Sequence, residues 1–144
     1  LLEMVCVLAL VAMMAAVLLP FVPRHTTRSR LQGYALQTAA LLKADRTAAI
    51  RHGIAVATLV DARGRQIRAG ASADMIRIPD DVRIDATLPR TCNRREALST
   101  ISFFSNGMSC GGAITLSRLD VGYEVRVNWL TGRIEIASRN NAVN

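Results

Sequence analysis

Hydrophobic and polar positions divide the chain into three stretches. From Leu1 to Val22 the sequence is apolar apart from one charge, Glu3, and Met4 to Leu19 contains no charged residue at all. At about 1.5 Å of rise per helical residue, such a run approaches the roughly 30 Å of a bilayer's hydrocarbon core. It predicts a single membrane span. A cleavable secretory signal would place basic residues before a shorter apolar stretch and a small-residue cleavage site after it, and neither flank has that form. From Leu31 to about His52 the pattern becomes amphipathic, with Leu31, Tyr34, Ala35, Thr38, Leu41, Leu42, Ala48 and Ala49 at three- and four-residue steps, while Lys43, Arg46 and Arg51 fall largely off that stripe. Together these stretches predict one very long helix from about residue 2 to 52, ended by Gly53 as a C-cap and kinked or locally melted at Pro20 and Pro23.

After Gly53 the period changes to two. Strands are predicted at Ile54–Val60, Gln66–Arg68, Met75–Ile78, Val82–Ala86, Ile101–Phe104, Ala113–Arg118, Tyr123–Trp129 and Arg133–Ala137, the last two forming a hairpin around Thr131 and Gly132. Many short strands without intervening helices make the fold class α+β: an antiparallel sheet or small sandwich packed on the amphipathic half of the helix. The segments are 1–23 (transmembrane helix half), 24–53 (amphipathic helix half) and 54–144 (a β domain), with a frayed tail at Asn140, Asn141 and Asn144. The part after residue 53 is large enough for one small core and needs no second domain.

Composition adds a formal charge of +7, carried by seventeen Arg and the single Lys43, dispersed as a solvated surface rather than gathered into a polyanion site. Of three Cys, Cys6 lies in the apolar run, whereas Cys92 and Cys110 fall in the polar domain and would form a disulfide in an oxidising compartment. Topology carries a conflict. Arg24, Arg28 and Arg30 directly follow the span, which by the positive-inside rule places that side in the cytoplasm, whereas the cysteines place it outside. A basic leader before residue 1 would resolve it.

Enzyme chemistry is not expected. Gly107, Ser109 and Gly111 match G-x-S-x-G, but a nucleophile elbow needs a helix after the serine, and a strand pattern follows here. Cys92 or Cys110 as a thiol nucleophile would need His25 or His52, both placed on the helix. Asp80, Asp81 and Asp85 read as a solvated turn rather than a calcium site, no Cys/His/Asp cluster has metal-ligand spacing, and no cofactor is implied.

A resemblance then joins the two ends of the chain. Leu1, Leu2, Glu3 and Met4 with the apolar helix resemble the mature N-terminus of type IV pilins and type II secretion pseudopilins, with two mature residues missing before Leu1. The runs Ile101–Gly107, Gly111–Leu116 and Val127–Arg133 resemble the FFxxG, GGxIxL and glycine-arginine hairpin elements of the GspH/FimT family of minor pseudopilins and pilins. That family implies a type IV pilin-like fold. It also implies a leader cut by prepilin peptidase, methylation of the new amine, and a helix-bending proline at Pro20. Glu3 would neutralise the N-terminal amine of a neighbouring subunit in the filament. The implied function is a minor pseudopilin at or near the tip of the type II secretion pseudopilus, anchored in the bacterial inner membrane with its C-terminal domain in the periplasm. Its partners would be the major pseudopilin, the other minor pseudopilins, inner-membrane lipid and secreted proteins. The alternative within the resemblance is a FimT-like minor pilin that binds DNA for natural transformation. Arg133 would then contact phosphate, although Glu135 stands where such relatives carry another basic residue.

Overall fold

The computed structural model describes residues 1–18 and 25–140. Helix α1 (Leu2–Leu18) is apolar on all sides and none of its residues is buried. Its 17 residues reach about 26 Å, so among the described residues no helix is by itself long and apolar enough to cross a membrane. The predicted kink at Pro20, and Pro23 with it, lies outside the described residues.

Helix α2 spans Arg28–His52 and is not continuous with α1. His25, Thr26 and Thr27 are non-helical. Thr27 is an N-cap in extended conformation whose side chain accepts from Arg30 N at 3.2 Å, so a new helix starts there and the predicted single helix is interrupted. Its other end follows expectation: Gly53, at φ 64°, sends its N–H to Ala49 O, a conformation that a residue with a Cβ adopts at a cost.

The strands are β1 (Val56–Asp61), β2 (Gln66–Arg68), β3 (Met75–Arg77), β4 (Arg83–Thr87), β5 (Thr91–Cys92), β6 (Arg95–Glu96), β7 (Thr100–Phe103), β8 (Gly112–Arg118), β9 (Val121–Val127) and β10 (Ile134–Asn140). They form two four-stranded antiparallel sheets, ordered β3-β2-β1-β7 and β10-β9-β8-β4, and a two-stranded ribbon β5-β6. Alternation in β1, buried at Val56, Thr58 and Val60, turns one face of the first sheet inward. Tyr123, Val125 and Val127 do the same for the second sheet. Helix α2 contacts both sheets, and its Leu31, Ala35, Leu42 and Ala49 join Ile67, Ile101, Phe103, Ile114 and Leu116 in one core. Truncating a fully buried residue such as Leu42 to Ala would cost about 2–5 kcal/mol.

The ribbon β5-β6 was not foreseen. Most predicted strand boundaries also moved by one to three residues, two of them for a visible reason. Strand β9 stops at Val127 rather than Trp129 because the Asn128 side chain caps the turn, accepting from Leu130 N at 2.8 Å and Thr131 N at 3.2 Å. Asn140, expected in a frayed tail, instead pairs with Val121 at the end of β10.

Candidate assembly site

Glu3 stands in the first turn of α1, the one acidic residue on a helix whose described side chains are otherwise uncharged and exposed. A carboxylate there suits the positive end of the helix dipole, and among the described residues the apolar surface around it is exposed along the whole helix. The free thiol of Cys6 is exposed on the same helix.

Within the head, one side chain joins two turns to α2. Arg46, on the flank of α2, donates from Nε to Gly107 O at 3.1 Å and from Nη2 to Thr131 O at 3.2 Å. It thereby ties the helix to the turn after β7 and to the β9–β10 hairpin. These turns nearly touch: a Cβ on Gly132, at φ 69°, would lie 1.8 Å from Gly107 O. Gly132, of the glycine-arginine element, therefore allows backbone close approach, whereas a Cβ on Gly107, of the FFxxG element at φ 85°, would meet the Arg46 guanidinium. Trp129 and Leu130 project from the hairpin, 63% and 55% exposed.

The arginines of this hairpin are largely paired with carboxylates. Arg133 Nε lies 3.4 Å from Glu135, and the buried Glu124 receives Arg126 Nη2 at 2.5 Å and Arg139 Nε at 2.8 Å. Lys43, Arg46 and Arg133 line a cleft of about 640 Å³, but Arg46 is already committed to two carbonyls. The one acidic replacement noted in the sequence, Glu135, is the partner of the arginine in question.

Cys92 in β5 and Cys110 before β8 are joined as a disulfide, with Cα atoms 5.8 Å apart, which fastens the β5-β6 ribbon to the start of β8. Ser109 is buried: its Oγ donates to Ser102 O at 2.6 Å and accepts from Gly111 N at 3.0 Å, a turn-stabilising role ahead of a strand. His25 and His52 are both exposed and neither lies in the ribbon or turn that holds the cysteines; His25, expected on the helix, lies in the break before α2. The three aspartates do not converge. Asp80 faces Arg65 at 3.6 Å, Asp85 pairs with Arg83 at 3.0 Å, and Asp81 binds Thr26 and Arg118. Among the described residues no three His, Cys, Asp or Glu are grouped to hold a metal.

Sequence inspection missed Asp45. It is 1% exposed on the inner face of α2 and accepts from Thr58 Oγ1 at 2.5 Å, Gly70 N at 2.8 Å and Ala71 N at 3.1 Å. Its position three after Leu42 and four before Ala49 was the available signal, since that step continues the buried stripe.

No protein-family model matches the chain. A relative named type II secretion system protein H, from Xanthomonas campestris pv. campestris, is 32% identical over 136 residues, covering 93% of this chain and 79% of its own length. The chain belongs to the type II secretion system protein H family. It is thus a minor pseudopilin of type II secretion. The fold agrees. The minor pseudopilin EpsH from the type 2 secretion system of Vibrio cholerae superposes with a TM-score of 0.61 at 13% identity, over 75% of this chain and 96% of that one. The Pseudomonas aeruginosa type IV minor pilin FimU gives 0.57 at 17%, over 76% and 90%. At those identities the likeness is one of fold, and it joins this chain to pilin-like folds in general.

Proposed function

We propose that this chain is anchored in the bacterial inner membrane by its apolar N-terminal region, carries its head in the periplasm, and joins the pseudopilus at or near its tip. In the filament, Glu3 would meet the N-terminal amine of a neighbouring subunit, so that neither charge is buried alone. The partners are the major pseudopilin, the other minor pseudopilins and, at the tip, secreted proteins. A precursor leader cut by prepilin peptidase, with methylation of the amine it exposes, supplies the basic flank that orients the helix despite Arg24, Arg28 and Arg30.

One observation carries the proposal: every described residue of α1 is exposed, and apart from Glu3 every one is uncharged, while the core is made from residues of α2 and the strands alone. Apolar surface of that extent is stable only against lipid or other subunits. A Cys92–Cys110 disulfide is in keeping with an oxidising periplasm. The test is deletion of the gene, followed by comparison of the secreted proteins with the frequency of natural transformation. Loss of secreted proteins with transformation intact is expected. Intact secretion with lost transformation would move the chain to DNA uptake.

A further inference from the structure

The two sheets hold their arginines differently. On the second sheet and its hairpin, Arg83, Arg118, Arg126, Arg133 and Arg139 each meet a carboxylate. On the first sheet Arg68 in β2, Arg77 in β3 and Arg63 in the turn between β1 and β2 are exposed, and among the described residues none of the three meets one. The carboxylates of that sheet serve their own turns: Asp61 Oδ1 accepts from Gly64 N at 2.8 Å and Asp74 Oδ2 from Ser72 Oγ at 2.9 Å. Apolar side chains lie among these cations. The alternation that buries Val60, Ile67 and Ile76 turns Leu59, Arg68 and Met75 outward, and register sets these three side by side across β1, β2 and β3. Leu59 is also one wall of a cleft of about 610 Å³ that Arg63, Ala86, Leu88 and Leu98 help to line. Leu98 is 71% exposed, yet its backbone is pinned. Ser99 N donates to Ala97 O at 3.1 Å, closing a three-residue turn around Leu98, and Ser99 O accepts from Val60 N at 2.8 Å. Ser99 stands at φ 54°, a costly conformation for a residue with a Cβ, and the fold keeps it while leaving Leu98 in water.

We propose that the outer face of the first sheet, with the cleft beside it, docks an acidic, apolar segment of a partner protein. Apolar side chains of that segment cover Leu59, Met75 and Leu98, and its carboxylates meet Arg63, Arg68 and Arg77. Charge complementarity selects this occupant. A guanidinium presents a planar fork that matches a carboxylate, and three of them without an internal carboxylate leave that valence to be filled from outside. An apolar centre with a charged rim is also the usual anatomy of a protein–protein interface. A nucleic-acid backbone would use the cations but leave the leucines and the methionine in water, so a protein segment fits the whole surface and a polyphosphate only its rim. The face uses no residue of α1, and its role stands or falls independently of Glu3.

The test places the full chain in nanodiscs of zwitterionic lipid and titrates it, at near-physiological salt, with a fluorescent polyglutamate peptide interrupted by leucines, empty nanodiscs serving as the blank. Saturable binding is expected. It should weaken about fivefold or more in Leu98→Ser and in Arg68→Ser, and stay unchanged in Arg83→Ser on the other sheet, while the thermal transition of each chain remains cooperative. Replacing the leucines of the peptide with serine should weaken binding by a similar factor. Should Arg68→Ser fail to fold, Arg63→Ser takes its place. Absence of saturable binding, indifference to Leu98→Ser, or equal weakening by Arg83→Ser would overturn the proposal. So would duplex DNA that binds more tightly than the peptide and ignores Leu98→Ser.

Discussion

The Asp45 carboxylate, on the buried face of α2, accepts the hydroxyl of Thr58 in β1 at 2.5 Å. Because it also accepts two backbone N–H groups from the loop after β2, one carboxylate fixes the helix, a central strand and a loop together. Asp45→Ala removes the acceptor of three donors, among them the fully buried Thr58 hydroxyl, and should cost about 2–4 kcal/mol. Asp45→Asn, which keeps the size but sets an N–H₂ against donors, should fall between. Denaturant unfolding of the full chain in detergent checks this.

Gly132 and Gly33 should respond to alanine with opposite signs. At Gly132 the new Cβ meets the Gly107 carbonyl and the backbone is left-handed, so destabilisation should reach about 2 kcal/mol or more. At Gly33, inside α2, nothing lies within 4 Å of a new Cβ, and helix propensity should stabilise by about 0.5–1 kcal/mol. Melting temperatures of the two variants, measured side by side, decide it.

The Asp81 carboxyl makes a signed prediction about pH. Its folded value is depressed below the ordinary 3.8, so its contribution is fully present above that value and is lost as pH falls through the folded one. The melting temperature of the parent chain should therefore drop more steeply than that of Asp81→Asn as pH is lowered from about 5 to below 3. Parallel curves would contradict it.

Cys92 and Cys110 close a loop of eighteen residue steps, for which chain entropy gives on the order of 3 kcal/mol. Alkylation of the unreduced chain should modify Cys6 alone by mass spectrometry, and replacing both paired cysteines with Ser should lower stability by about 2–3 kcal/mol. Two further alkylated thiols before reduction would refute the bond.

Much of this fold was legible because its longer elements each repeat one period. β2 begins and ends where alternation placed it, and β1, β7, β8 and β9 lie within about two residues of their predicted bounds. The ribbon β5-β6 was not, since strands of two residues carry no period and the turn between them, Asn93 and Arg94 at φ 53° and 63°, sets Arg rather than Gly beside the turn-favouring Asn. The helix break at residues 25–27 depends on the pairing of Thr26 with Asp81, which only the folded chain brings together. At the site, Glu3 was legible as the lone charge in an apolar helix, whereas Arg46 was set aside as surface because its two acceptors come from distant turns.

The most direct measurement of the assembly account is co-purification of Glu3→Ala with the other pseudopilins from membranes. The variant should still fractionate with the inner membrane, because α1 gains apolar character. Its recovery in the complex should fall by roughly tenfold or more, the factor that about 1.4 kcal/mol of lost pairing represents. Co-purification at the parent level would contradict the role assigned to Glu3.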